Sequence, residues 1–372
     1  MQRFRGQALR DKPHIAVFVW DKLGNVILAT VVLRALRERY PACTIDLFSG
    51  ERTRELEEAS ALLDARFSLI GLPDTLARLS AFVATRIEEY GPYDLGINLD
   101  FDRALAVAMG LLAPDYVVGD AVDATLRRAV PRARDRLQDL EDDLEWNRLG
   151  LVEEYRDLIR SQYLAELWCR KAGLETDFSR PEVPWRTPSG TIPDILLATG
   201  GTRSTKLWSP DSWRALVRLL RDRGITVGLV GVARAQQAAQ YGSGPADDDL
   251  LVAAGVEDLR GRWTLPEVAG ATRLARAVVT IDNAIGHLAA AMGAPTVILW
   301  GGSPWRLWGS PLANARHILP ARICLLCEQQ RFRNASCLRP EAENDCLVSI
   351  TPERALREIL AASGCGAIGK KG

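Results

Sequence analysis

Residues 280–291, TIDNAIGHLAAA, place an acid, an amide, a glycine and a histidine close together: Asp282, Asn283, Gly286 and His287. The apolar run 277–279 precedes them and APTVILWG follows, so the stretch reads as strand, polar turn, helix of small residues, strand. A helix start offers backbone N–H groups without intrahelical partners and the positive end of a dipole, which suits a phosphate. An ordinary βα connection with a buried histidine has the same outline, so the turn alone decides nothing. A second loop, GGTRSTK at 200–206, adds glycines that let the backbone approach an anion and a point charge in Lys206. It lacks the terminal GK[ST] of a Walker A loop, and neither loop is a GxGxxG. Together they fit a nucleotide diphosphate better than a nicotinamide dinucleotide. Two further acids, Asp100 and Asp102 in LDFDR, sit just past the apolar run 95–99. They suit a general base, or equally a pair of acids at a helix N-terminus.

These residues need a scaffold, and the alternation of short apolar runs with longer helical segments predicts α/β architecture with parallel sheets. The first half reads as strand 14–20, loop 21–25, amphipathic helix 26–40, strand 44–48, strand 93–99 and helix 104–112. A charged helical stretch without strands fills 120–170. Prolines 181, 184, 188 and 193 mark a linker, after which strands at 194–198, 225–230 and 277–279 alternate with helices. The expected division is 1–185, 190–350 and a helix with tail at 351–372 that is free to pack back on the first domain. A cleft at the carboxyl ends of the strands of both domains is the expected ligand site. With 372 residues, 25% of them charged, and a net charge of zero, no global field favours nucleic acid. The early apolar run 15–20 is too short for a membrane span or a signal segment, so a cytoplasmic protein is expected. The run Arg127, Arg128, Arg132, Arg134 and Arg136 reads as a solvated face balanced by acids at 141–145, or as a contact with an anionic membrane surface.

Cys324, Cys327, Cys337 and Cys346 follow the pattern CxxC, nine residues, C, eight residues, C. Four thiolates so spaced suit a tetrahedral structural zinc or iron, with no open position for catalysis; reduced thiols in a loop are the alternative. Cys43, Cys169 and Cys365 read as core or surface residues.

The order LGNVILAT-x-x-LRALRERYP, GGTRSTKLWSPDSWRAL, then LRGRWTLPEVAGATRLARAVVTIDNAIGHLAAAMGAPTVILWGGSP resembles the bacterial heptosyltransferases of the lipopolysaccharide core, family 9 glycosyltransferases. The resemblance covers nearly the whole chain and is most specific in the second half. It implies a GT-B fold, two Rossmann-like domains with parallel sheets facing a central cleft. It also implies inverting, metal-independent sugar transfer from a nucleotide sugar, usually ADP-heptose. By position, Lys206 would neutralise the pyrophosphate and Thr202 would bond a phosphate oxygen. The backbone from Asn283 through Ala284 to Gly286 would hold the diphosphate. Asp282 would bind donor hydroxyls, His287 would orient the turn, and Trp263 would lie against the base. Some protein-directed members are similar in holding iron with cysteines. The acceptor side admits a lipopolysaccharide core, a protein or a small metabolite, and the oligomeric state is unreadable.

One departure stands out. The family's first loop ends Gly-Asp, its Asp being the proposed base for the acceptor hydroxyl; here it is Gly24-Asn25. An amide takes no proton at neutral pH. Either another acid serves (Asp100 first, then Asp102 or Asp21), or Asn25 only positions the acceptor and catalysis is weaker. Otherwise the chain is a catalytically silent nucleotide-sugar-binding or assembly protein. An epimerase or hydrolase on the same fold is a further alternative.

Overall fold

The computed structural model describes residues 1–364 except 72, 242, 243, 322, 323, 335, 340 and 342; Cys365 lies outside the described residues. The chain forms two compact units, Met1–Pro184 and Trp185–Gly372. The first holds six parallel strands: β1 (Gln2–Arg3), β2 (His14–Phe18), β3 (Thr44–Gly50), β4 (Ala65–Ile70), β5 (Leu95–Asn98) and β6 (Tyr116–Val118), in the order β1-β6-β5-β2-β3-β4. The second holds β7 (Ile195–Ala198), β8 (Val227–Leu229), β9 (Glu257–Asp258), β10 (Ala277–Ile281), β11 (Thr296–Leu299) and β12 (Ala315–Ile318), in the order β12-β11-β10-β7-β8-β9, again all parallel. The central strands are buried along their whole length because helices cover both faces of each sheet.

Each sheet reverses its winding once. The chain builds outward from β2 to β3 and β4, then returns to the other side of β2 as β5; likewise it runs from β7 to β9 and returns beside β7 as β10. At such a reversal the loops leaving two neighbouring strands diverge, and the crevice at their carboxyl ends accepts a ligand.

The helix Leu23–Arg39 departs from the amphipathic expectation: every residue from Asn25 to Leu36 is buried. The helix Leu164–Lys171 packs along it, and the segment beyond wraps its polar positions. Arg34 donates to Thr176 Oγ1 and the Asp177 carbonyl, each at 2.6 Å, and Thr30 Oγ1 accepts from Glu182 N at 2.9 Å. Strands β1, β4, β6 and β12 and the helix Thr75–Tyr90 are not among the expected elements; β1 and β6 are only two and three residues long. The final helix, Pro352–Ser363, packs within the second unit. Its Ala355, Leu356 and Ile359 join Leu216, Leu220, Val297 and Leu299 in a core of the second.

Beneath the first sheet lies a charged cluster without solvent access. Asp46 accepts from His14 Nε2 (2.9 Å), Tyr93 Oη (2.8 Å) and, through both oxygens, Arg86 (2.7 and 2.9 Å). Burial alone would raise the Asp46 carboxyl; the bonds from His14, Arg86 and Tyr93 outweigh it and hold it below its ordinary value. Replacing Asp46 with Asn strands a buried guanidinium. The expected loss is about 3–5 kcal/mol of stability, read as a lower urea midpoint; a variant as stable as the parent would contradict this account.

Candidate functional site

In the second unit the two motif loops leave β7 and β10, the neighbouring strands at the reversal. Asn283 joins them. As cap of the helix Ala284–Ala291, its Oδ1 accepts from Ile285 N (3.0 Å), Gly286 N (3.3 Å) and Thr280 Oγ1 (2.8 Å). Its Nδ2 donates to the carbonyls of Ala198 (3.1 Å) and Gly200 (3.0 Å). The helix start therefore offers fewer spare amides than its sequence suggests, because Asn283 takes two of them. Gly286 permits this packing: a Cβ there would meet Thr280 Cγ2 at 3.0 Å.

Lys206, on the short turn Ser204–Lys206, places Nζ 2.5 Å from Asp282 Oδ2, outside hydrogen-bonding alignment, so the contact is an ion pair. Both side chains are largely buried. Burial pushes the Asp282 carboxyl up, but the Lys206 charge and the Ser303 hydroxyl overcome that and hold it below its ordinary value. His287 lies beside them, and burial drives it down to about 4, so it is a neutral imidazole at physiological pH. Ala284 is half-buried in the first turn of its helix, and Thr202 is exposed on the bend before Lys206. Trp263 is half-buried; its Nε1 donates to the Ser189 carbonyl (3.1 Å), and Arg262 lies 5.7 Å from its ring centroid.

His287 makes stability depend on pH with a definite sign. As pH falls below about 6.5 the unfolded chain gains a proton there that the folded chain refuses until about 4, so stability drops across that window and levels off below it. The gap is worth about 3 kcal/mol. In His287→Asn that part of the acid loss should vanish from urea unfolding midpoints taken between pH 7 and 4; an unchanged slope would refute the assignment.

Sequence reasoning passed over Arg203. Its guanidinium donates to the Phe332 carbonyl and, at 3.2 Å, to the Gly302 carbonyl, tying the glycine loop to the segment after β12. Only the long-range fold reveals this, since an arginine in a phosphate loop reads as an anion ligand.

In the first unit the reversal brings together Asn25, the loop after β2 and the loop after β5. Asp100 Oδ2 accepts from Trp20 N (2.9 Å) and Asn25 Nδ2 (3.3 Å), while Oδ1 accepts nothing among the described residues. Asn98 Oδ1 accepts from Asp100 N at 3.1 Å and so fixes that turn. Asp102 is engaged differently: it caps the helix Arg103–Leu112 by accepting from Ala104 N at 2.8 Å. Asp21 is buried, which pushes its carboxyl up, and it packs over Gly50, where a Cβ would clash with it.

The four thiols of the cysteine quartet are free, and among the described residues no group of three or more His, Cys, Asp or Glu could hold a metal ion. Cys327 Sγ accepts from Asn334 Nδ2 (3.4 Å), Cys337 Sγ turns to the Arg339 carbonyl (3.9 Å), and Cys346 lies on a separate short helix, Asp345–Val348. Burial first, then the other three thiols, pushes Cys346 up: the four are neighbours without forming a ligand set. Spacing permits a tetrahedron, and the four thiols lie near one another with Cys327 and Cys337 also engaged in local bonds.

Residues 151–335 match the model of glycosyltransferase family 9 (heptosyltransferase). Lipopolysaccharide heptosyltransferase 3 of Escherichia coli is 22% identical over 311 residues, 77% of this chain and 84% of that protein. Among solved structures, the ADP-heptose lipopolysaccharide heptosyltransferase II of E. coli superposes with a TM-score of 0.62 at 19% identity, covering 95% of this chain and 99% of that one. An iron-containing dodecameric glycosyltransferase from enterotoxigenic E. coli gives 0.60 at 14% identity, covering 96% and 78%. The fold is thus GT-B. No helix among the described residues is long and apolar enough to cross a membrane.

Proposed function

Because the chain belongs to glycosyltransferase family 9, we propose that it moves a heptose from ADP-heptose to an acceptor hydroxyl with inversion, as in lipopolysaccharide core assembly. The observation that carries the donor half is the Lys206–Asp282 pair beside the Asn283-capped helix, at the winding reversal of the second sheet. There Lys206 and the remaining amides of the Ala284–Ala291 helix start oppose the charge that grows on the leaving diphosphate, while Thr202 bonds a phosphate oxygen. Neutral His287 packs the turn, Asp282 receives donor hydroxyls, and Trp263 stacks on the adenine. In the acceptor half Asp100 is the base. Its bonded oxygen is held by Trp20 N and Asn25, and its other oxygen is left for the acceptor O–H. The acceptor oxygen then attacks the anomeric carbon as the bond to the diphosphate breaks, and the proton passes to Asp100. This assigns charge neutralisation to protein groups, without a metal-dependent step. Six free cysteines among the described residues suit the reducing cytoplasm.

The test is a titration with ADP, UDP and GDP, each alone. ADP should bind at least about tenfold tighter, a difference of about 1.4 kcal/mol; equal affinities would remove the ADP-heptose assignment. Following ADP release from ADP-heptose with and without a core oligosaccharide separates the remaining classes. Release only with acceptor marks a transferase, release without it a hydrolase, and tight binding with no release a silent binding protein.

A further inference from the structure

Lys171 is the most deeply buried lysine of the first unit, 2% exposed at the end of the helix Leu164–Lys171. Its ammonium lies 5.5 Å from the Phe101 ring centroid and 5.2 Å from that of Trp146. The two rings meet edge to face at 5.7 Å. Trp146 is pinned in turn: its Nε1 donates to the Leu140 carbonyl (2.8 Å), and its carbonyl accepts from Gln162 Nε2 (3.0 Å). Among the described residues Lys171 has no carboxylate within ion-pair distance, 4.0 Å. A buried cation without such a partner is costly, and aromatic faces offset only part of the cost.

The charged groups facing this ammonium come from four elements. They are Glu141 on the helix Arg136–Asp142, Asp120 after β6, Asp100 after β5, and Arg3 on β1. Burial lowers Lys171 below its ordinary value, the three acids work against that, and Arg3 adds to it. Two of the acids already have cations: Glu141 pairs with Arg5 (3.2 Å) and Asp120 with Arg132 (3.5 Å). Asp100 is bonded only by uncharged donors, Trp20 N and Asn25. Among these acids it is the carboxylate to which the Lys171 charge is otherwise uncommitted, and Phe101 is its chain neighbour.

We propose that Lys171 is a positioning residue for acceptor deprotonation: through Phe101 it holds the turn that carries Asp100, and it supplies the positive charge facing that carboxylate. The inference rests on the reading of Asp100 as base. It also explains how a chain with Asn25 in the first loop still presents an ordered acid there. Charges couple strongly through a poorly polarisable interior, so a cation beyond contact distance still acts on the carboxylate.

Two experiments decide it, both on the full chain. In the first, Lys171→Met keeps the length and packing of the side chain but not its charge. With ADP-heptose and a core oligosaccharide, kcat should fall about tenfold with both KM values unchanged. A loss of thermal stability with kcat unchanged would reduce Lys171 to packing, and a loss confined to the acceptor KM would make it a binding contact; either overturns the proposal. In the second, the Lys171 side-chain nitrogen is titrated by NMR in the parent and in Asp100→Asn. Its midpoint should fall in the variant, because a facing negative charge is gone; an unmoved midpoint overturns the coupling even if Lys171→Met fails to fold. Should Asp100→Asn retain full turnover, the base assignment falls, while the NMR titration still reports the coupling on its own.

Discussion

Lys206→Met should lower kcat/KM for the nucleotide sugar by about 10²–10³, the loss expected when one preorganised donor to a developing anion is removed. Two effects fall on the same substitution. The leaving diphosphate loses its fixed cation, and Asp282 is left buried at 6% exposure without a counter-charge. The second effect threatens the fold, since stranding one partner of a buried pair costs about 3–5 kcal/mol. The double variant Lys206→Met/Asp282→Asn separates them. It should regain most of the thermal stability lost by the single variant while ADP binding, measured by calorimetry, stays weak. Recovery of binding in the double variant would show that Lys206 serves the fold alone. Lys206→Arg is not a neutral control, because a planar fork does not place its charge where a compact ammonium does.

Asp100→Asn should reduce kcat by about 10²–10⁴, the span of general-base assistance, with ADP affinity untouched. The substitution keeps the shape of the group and an acceptor oxygen for Trp20 N, so the turn after β5 survives and the change is one of proton affinity. Adding Asn25→Asp should restore part of the lost rate, since the two side chains touch at 3.3 Å and an acid at either position faces the same space. A loss of less than threefold in Asp100→Asn would move the chemistry to Asp21 or empty the first unit of a base altogether.

The donor side was the more legible half. Its residues lie in two short runs, and each run names its own structure: glycines after a strand, and an asparagine cap before small helical residues. What sequence could not show was their cross-linking, in which Asn283 spends amide groups that would otherwise meet a phosphate and Arg203 serves a neighbouring segment rather than an anion. The acceptor side was harder because its members are distant in sequence. Asn25 and Asp100 meet only through the winding of the sheet, and Lys171 reaches Phe101, the neighbour of Asp100, only through the tertiary packing of the helix Leu164–Lys171. That same packing hid the character of the first helix: its apolar positions run all the way round, and two of its polar side chains, Thr30 and Arg34, find partners more than a hundred residues away. Asp102 takes the second of its two readings: an acid after a strand suggests chemistry, but a helix begins at the next residue and needs a cap. For the cysteines, spacing along the chain says nothing about the direction in which each sulfur points.

The contact between Lys206 and Asp282 has a bearing on the end of the catalytic cycle. The carboxylate is tethered within 2.5 Å of the cation, so it competes for that cation at an effective concentration no dissolved anion approaches. An incoming diphosphate succeeds by bringing two charges and several amide contacts at once, and a spent nucleotide that has lost its sugar contacts faces a rival already in place. On the proposed donor role, departure of the product exchanges one anion for another and leaves no bare charge behind, so that Asp282 would aid release as well as hold the sugar.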